Sequence, residues 1–203
     1  MKSIIQDFFL IWAVVDPVGT VPVFLAVTSK FSARQSRAIA IRAVVVATLV
    51  LLFFILVGEP LLESLQIPLP AFQVAGGIVL FIFALTMIFG ESKPDEELHM
   101  VRNGTHSAIF PLAIPSIASP GAMMAVVLMT KNHQFSVFEQ VVTTTMLLLV
   151  MALTLALMLL APFIQRLIGE SGASVISRVM GLILASVATN SILMGLQDYF
   201  SLS

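Results

Sequence analysis

VVDPVGTVPVF, residues 14–24, interrupts an apolar stretch that reads from Ile4 to Thr28. A membrane helix is expected to be most uniform at its middle, yet this one carries two prolines, a glycine and Asp16 there. Proline removes a backbone donor and leaves the carbonyl four residues earlier without its helical partner. Pro17 and Pro22 therefore release the carbonyls of Ala13 and Val18, and Gly19 lets the backbone bend or unwind between them. The segment IFPLAIPSIASPGAMM, residues 109–124, repeats the device: Pro115 and Pro120 release the carbonyls of Pro111 and Ser116, and Gly121 follows.

The rest of the chain explains why such breaks stand out. Its 203 residues are 59% hydrophobic and only 10% charged, with a mean hydropathy of +1.06. That leaves too little polar surface to cover a water-soluble globule of this size, so the chain belongs in a bilayer. The net charge of -1 says nothing about partners, and with no basic stripe a nucleic-acid partner is not expected. There is no cysteine, hence no disulfide framework and no thiolate metal site. His99, His106 and His133 keep no metal-ligand spacing, and neither HExxH nor a Ser-His-Asp pattern occurs. Neither a cofactor nor an enzymatic activity is expected.

Crossing about 30 Å of hydrocarbon takes roughly 20 apolar residues. The sequence predicts an all-α membrane protein with six transmembrane helices near 4–28, 38–58, 69–89, 107–130, 138–161 and 174–196. MKSIIQDFFLIWAVVDP reads as a first span and not as a signal peptide, because Gln6 and Asp7 follow the weak basic start at once. The chain is one membrane domain, 1–203, with a first three-span repeat over 1–90, a polar connecting loop over 91–106 and a second repeat over 107–203. Pro60 and Pro162 stand 102 apart, Gly77 and Gly181 104 apart. Three spans per half is an odd number, so a duplicated half inserts upside down, giving two inverted three-helix repeats with helices 1 and 4 discontinuous near the midplane. Pairing Pro17 with Pro115 keeps the proline spacing, whereas pairing Pro17 with Pro120 fits the downstream offset; both registers are open.

Lys and Arg count eight near the ends of one set of loops and two, Lys2 and Lys131, on the other side, which places both termini outside the cytoplasm. Asp16 is the one acid expected deep in a span. It has three readings: binding a substrate ammonium, carrying a coupling proton, or capping the half-helix that starts at Pro17. In the last span Ser186, Thr189 and Asn190 form a polar side, and Gly181, Ala185 and Thr189 a small-residue stripe. Asn190 either glues helices together or lines the cavity as a binding residue. Thr86 and Thr154 are expected to bond back to their own helices, Glu59 to close its span at the interface, with a proton relay as its other reading, and Asn103-Gly104-Thr105 to mark a turn.

DPVGTVPVF, together with AGGIVLFIFALTMIFG, PLAIPSIASPGA and GLILASVATNSI, resembles the MarC family of bacterial and archaeal inner-membrane proteins over nearly the whole chain. The resemblance implies the two inverted repeats, a place among relatives of amino-acid exporters, and a bacterial inner-membrane location. It points to Asp16, Pro17, Gly19 and Pro22 in span one and to Pro115, Ser119, Pro120 and Gly121 in span four as substrate-binding. Ser119 stands where the family commonly carries glycine, and the backbone unwinds less readily there. The expected function is secondary transport of small neutral amino acids of glycine, alanine or serine type by alternating access, with Asp16 the candidate for a coupling proton. The expected partners are that small molecule and membrane lipid, with a homo-oligomer left open. A passive channel or a non-catalytic membrane assembly protein is the alternative.

Overall fold

A computed structural model describes residues 4–28, 31–89, 112–130 and 135–201, and the regular structure among them is helical throughout. The first apolar stretch forms two helices, α1 (Ile4–Val15) and α2 (Pro17–Thr28), parted at Asp16. Asp16 takes φ 48°, the left-handed region that a short polar side chain tolerates and a helix interior does not. The chain then runs through α3 (Ala33–Ser64) and α4 (Leu69–Phe89). A wide turn over Leu112–Ile117 leads to α5 (Pro120–Met129), and α6 (Val137–Leu159) and α7 (Ala161–Ser201) follow.

The second break has its own local cause. Ile114 is extended at φ −140°, ψ 121°, as the residue before a proline is driven to be. Beyond it the Ala118 N–H donates to the Ala113 carbonyl at 2.9 Å, one residue wider than a normal helical ring. Ser119 then caps α5 and Pro120 occupies its first position. Asp16 before Pro17 and Ser119 before Pro120 thus cap the helices that follow them in the same way.

Five helical stretches are long and apolar enough to cross a membrane, Ile4–Leu25 among them, and Pro120–Met129 is a shorter apolar helix. Large apolar side chains such as Leu56, Phe89 and Leu167 point outward, which suits a lipid environment. Two boundaries differ from the sequence reading. The expected end of a span at Glu59 is not observed, because α3 continues through Pro60 to Ser64 and Glu59 itself is buried. One proline removes a single ladder bond, and the rest of the turn carries the helix onward. The expected loop between 161 and 174 is also helical. At 41 residues, and about 1.5 Å each, α7 is about twice as long as a bilayer crossing requires.

α3 and α6 both open on a serine capping box. The Ser32 N–H donates to Gln35 Oε1 at 3.0 Å, and the Ser136 N–H donates to Glu139 Oε2 at 3.0 Å. Each serine Oγ accepts the matching backbone N–H at 3.4 Å.

α4 and α7 pack antiparallel along their length, and glycines set how closely. A Cβ on Gly77 would stand 3.0 Å from the Ala188 carbonyl oxygen and 2.6 Å from Ile192 Cγ1. On Gly181 it would stand 3.1 Å from the Ala84 carbonyl oxygen and 3.0 Å from Ile88 Cγ1. The two contacts are reciprocal: each glycine meets an alanine and an isoleucine at corresponding places on the other helix. The centre of the exchange falls between Phe81 and Ile82 on α4 and between Ala185 and Ser186 on α7. Other packing comes in matching pairs. α2 lies on α7 as α5 lies on α4, and α3 touches α5 as α6 touches α2.

The connecting loop over 91–106, residues 107–111, all three histidines and Asn103-Gly104-Thr105 lie outside the described residues. So do Lys2, Lys30, Lys93, Arg102 and Lys131 of the charge count.

Candidate functional site

The two interruptions lie against one another. A helix broken at Asp16 loses its ladder partners for the carbonyls just before the break, since Pro17 has no N–H and the next donors belong to the first turn of α2. One of those carbonyls finds a partner across the fold: the Ser119 hydroxyl donates to the Val14 carbonyl at 3.4 Å. The same Ser119 Oγ accepts the Ala122 N–H at 3.1 Å and so caps α5. Asp16 does the equivalent work for α2, its Oδ1 accepting the Gly19 N–H at 3.1 Å.

A second hydroxyl pair extends the contact. The Thr20 hydroxyl donates to the Asp16 carbonyl at 3.0 Å, and the Ser116 hydroxyl reaches Thr20 Oγ1 at 3.5 Å. A hydroxyl has one proton to give, so the chain runs in one direction, from Ser116 to Thr20 to the Asp16 carbonyl. Asp16, Thr20, Ser116 and Ser119 are each no more than 1% exposed. Around them stand Ile11, Val14, Val15, Leu112 and Ile117, all fully buried. A carboxylate and three hydroxyls enclosed in hydrocarbon are costly groups to place there, and this cluster joins the ends of two interrupted helices.

Asp16, Gly19 and Ser119 of the expected site residues take part in these bonds. Pro17, Gly19 and Pro22 are buried on α2, and Ser119 and Gly121 are buried at the start of α5. A Cβ on Gly121 would stand 3.1 Å from Phe83 Cδ1, so glycine there lets α5 approach α4. Pro115 lies in the wide turn, and Pro120 is exposed. Asn190 is elsewhere, on an exposed face of α7, with its Nδ2 at 3.3 Å from Met194 Sδ. Ser186 and Thr189 on that face donate to the Leu182 and Ala185 carbonyls of their own helix. Thr86 and Thr154 also bond back, to Phe83 and Val150, as expected.

Thr20 and Ser116 are additions to the site. Both sit inside the quoted motifs, Thr20 one helical turn after Asp16 and Ser116 directly after Pro115, but their meeting is tertiary and no local pattern announces it. Asp16 is also not the one buried acid. Asp7, on α1, is 4% exposed and accepts the Thr143 hydroxyl of α6 at 2.6 Å, while Glu59 is 5% exposed. Asp7 and Asp16 are nine positions apart, about 13 Å along the axis.

A family model described as MarC family integral membrane protein matches residues 1–200. A UPF0056 membrane protein of Buchnera aphidicola (Schizaphis graminum) is 32% identical, covering 98% of this chain and 99% of its own length. The UPF0056 inner membrane protein YhgN of Escherichia coli K12 is 32% identical, over 97% of this chain and 98% of its own. An archaeal relative, the UPF0056 membrane protein MJ1677 of Methanocaldococcus jannaschii, is 30% identical over 97% of both. No solved structure matches.

Proposed function

Since the chain belongs to the MarC family of integral membrane proteins, we propose that it is a secondary transporter of small neutral amino acids, working by alternating access. The observation that carries this reading is the hydrogen-bonded junction of the two interrupted helices, with Asp16, Thr20, Ser116 and Ser119 buried in it. Broken helices meeting in the membrane interior are a means of building a small polar site where lipid-exposed irregular backbone is not tolerated. The substrate lies between the breaks. Its carboxylate sits on the first-turn N–H groups of α2 and α5, at the positive ends of those helices. Its ammonium sits at the Asp16 carboxylate and the Val14 carbonyl. Thr20, Ser116 and Ser119 take whatever polar atoms remain and favour side chains of glycine, alanine or serine size.

The two halves act as inverted repeats. The reciprocal contacts of Gly77 with Ala188 and Gly181 with Ala84 support this, because a two-fold axis exchanging antiparallel spanning helices lies in the membrane plane. Cap positions that correspond under this exchange, Asp16 and Ser119, also come together, as residues near such an axis must. Movement of one repeat against the other parts the breaks toward each side in turn, and Asp16 carries the coupling proton. The location is the inner membrane, as the name of the Escherichia coli relative states for that protein, with both termini on the non-cytoplasmic side.

Purified protein in proteoliposomes tests this. Saturable flux of labelled glycine, alanine or serine, with competition among them, is the expected result. Absence of both flux and binding for every small neutral amino acid overturns the assignment, and unitary conductance in a planar bilayer replaces it with a channel.

A further inference from the structure

We propose that the outward face of α7 around Asn190 is the contact surface of a homodimer. α4 provides an internal comparison. The reciprocal packing of α4 and α7 gives the two helices similar surroundings within the chain, and an outward row of positions 104 apart is exposed on both. Ala75, Ile78, Ile82, Thr86 and Phe89 are exposed on α4, and Val179, Leu182, Ser186, Asn190 and Leu193 are exposed on α7. Near the centre of the exchange, α4 turns Ile82 outward where α7 turns Ser186, and Thr86 where α7 turns Asn190. An apolar side chain there suits lipid, but an amide does not.

Asn190 lies four to five residues from that centre, about 7 Å along the helix, well inside the hydrocarbon. The Ser186 and Thr189 hydroxyls are already bonded to their own helix, at 3.0 and 2.8 Å. Among the described residues the Asn190 amide has a single hydrogen bond, from Nδ2 to Met194 Sδ, a weak acceptor. Its carbonyl oxygen and second N–H are thus available to another molecule, at a depth where water is scarce.

A second copy of this chain fits that demand. Two copies inserted in the same orientation are related by a two-fold axis along the membrane normal, which places each residue of the contact opposite itself. An amide is both donor and acceptor and can pair with its own kind. Ser186 and Thr189, small and internally bonded, let the two helices approach beside it.

The absence of cysteine makes the test direct. Ser186→Cys, on the same exposed face with Asn190 intact, carries a single thiol, and oxidation in native membranes is expected to give a disulfide-linked dimer. Ile82→Cys, at the corresponding exposed position of α4, is expected to stay monomeric under the same treatment. No dimer at 186, or equal yield at both positions, overturns the proposal. Association of fluorescently labelled protein in lipid vesicles provides a second measurement. Asn190→Leu is expected to weaken self-association by about 3- to 30-fold, the range of interhelical side-chain hydrogen bonds in membranes. Unchanged or tighter association overturns the proposal.

Discussion

The Ser119 hydroxyl lies 3.4 Å from the Val14 carbonyl oxygen, so the residue that starts one interrupted helix also closes the open end of the other. The two breaks are therefore joined, since the residue that caps α5 also supplies a donor to a carbonyl at the end of α1. This relationship makes Ser119 the most informative single position in the chain.

Ser119→Ala removes the α5 cap and leaves the Val14 carbonyl without this donor. The expected loss is about 2 to 4 kcal/mol, the cap contributing about 1 and the buried carbonyl the remainder. Ser119→Thr keeps both bonds and is expected to stay close to the parent. Urea or thermal unfolding in detergent compares the two, and an Ala variant as stable as the Thr variant would contradict the double role.

Asp16 separates shape from charge. Asn tolerates the left-handed backbone at φ 48° and can still accept the Gly19 N–H, so Asp16→Asn is expected to change stability by less than about 1 kcal/mol. Flux of labelled amino acid is expected to fall at least about tenfold, equivalent to about 1.4 kcal/mol of lost interaction. Asp16→Ala loses the cap and strains the backbone as well, and should destabilise by about 2 to 3 kcal/mol. Full flux with unchanged pH dependence in Asp16→Asn would reduce Asp16 to a cap.

The α4–α7 seam leaves no space for a methyl group at either reciprocal glycine. Gly77→Ala meets Ile192 and the Ala188 carbonyl; Gly181→Ala meets Met87, Ile88 and the Ala84 carbonyl. Each should cost about 1 to 3 kcal/mol by forcing the helices apart. The sites are about 13 Å apart along the helices, so the double variant should show the sum within about 0.5 kcal/mol. Chemical denaturation of the four proteins checks this.

Asp7 and Thr143 pin α1 to α6 through a buried bond of 2.6 Å. Thr143→Val keeps the shape and removes the donor, with an expected cost of about 1.5 to 3 kcal/mol for a hydrogen bond to a charged group. A double-mutant cycle with Asp7→Asn should return a coupling of at least about 1 kcal/mol; a coupling near zero would mean the two groups act independently.

Much of this architecture is legible in the residue order. Apolar run lengths mark the helices, and Pro17, Gly19, Pro115 and Pro120 mark the breaks, because a missing N–H acts locally whatever surrounds it. The capping reading of Asp16 is legible for the same reason. Thr20 with Ser116 and Asp7 with Thr143 are not, since each pair joins residues about 100 or more apart in the chain and depends on how helices rotate about their axes. The burial of Glu59 and the exposure of Asn190 share that dependence. Composition places both within apolar helices, and only packing decides which way each one faces.

On the transport reading proposed above, the meeting of Ser116 with Thr20 and of Ser119 with Val14 bears on the protein without cargo. Parting the breaks without cargo would strand a carbonyl and two hydroxyls in hydrocarbon, at about 1 to 3 kcal/mol for each group left unsatisfied. On that reading a bound amino acid would bring an ammonium and a carboxylate to take over those bonds, and the movement would proceed without that cost. The junction would then serve as its own stopper: the groups that recognise the passenger would hold the passage shut until one arrives.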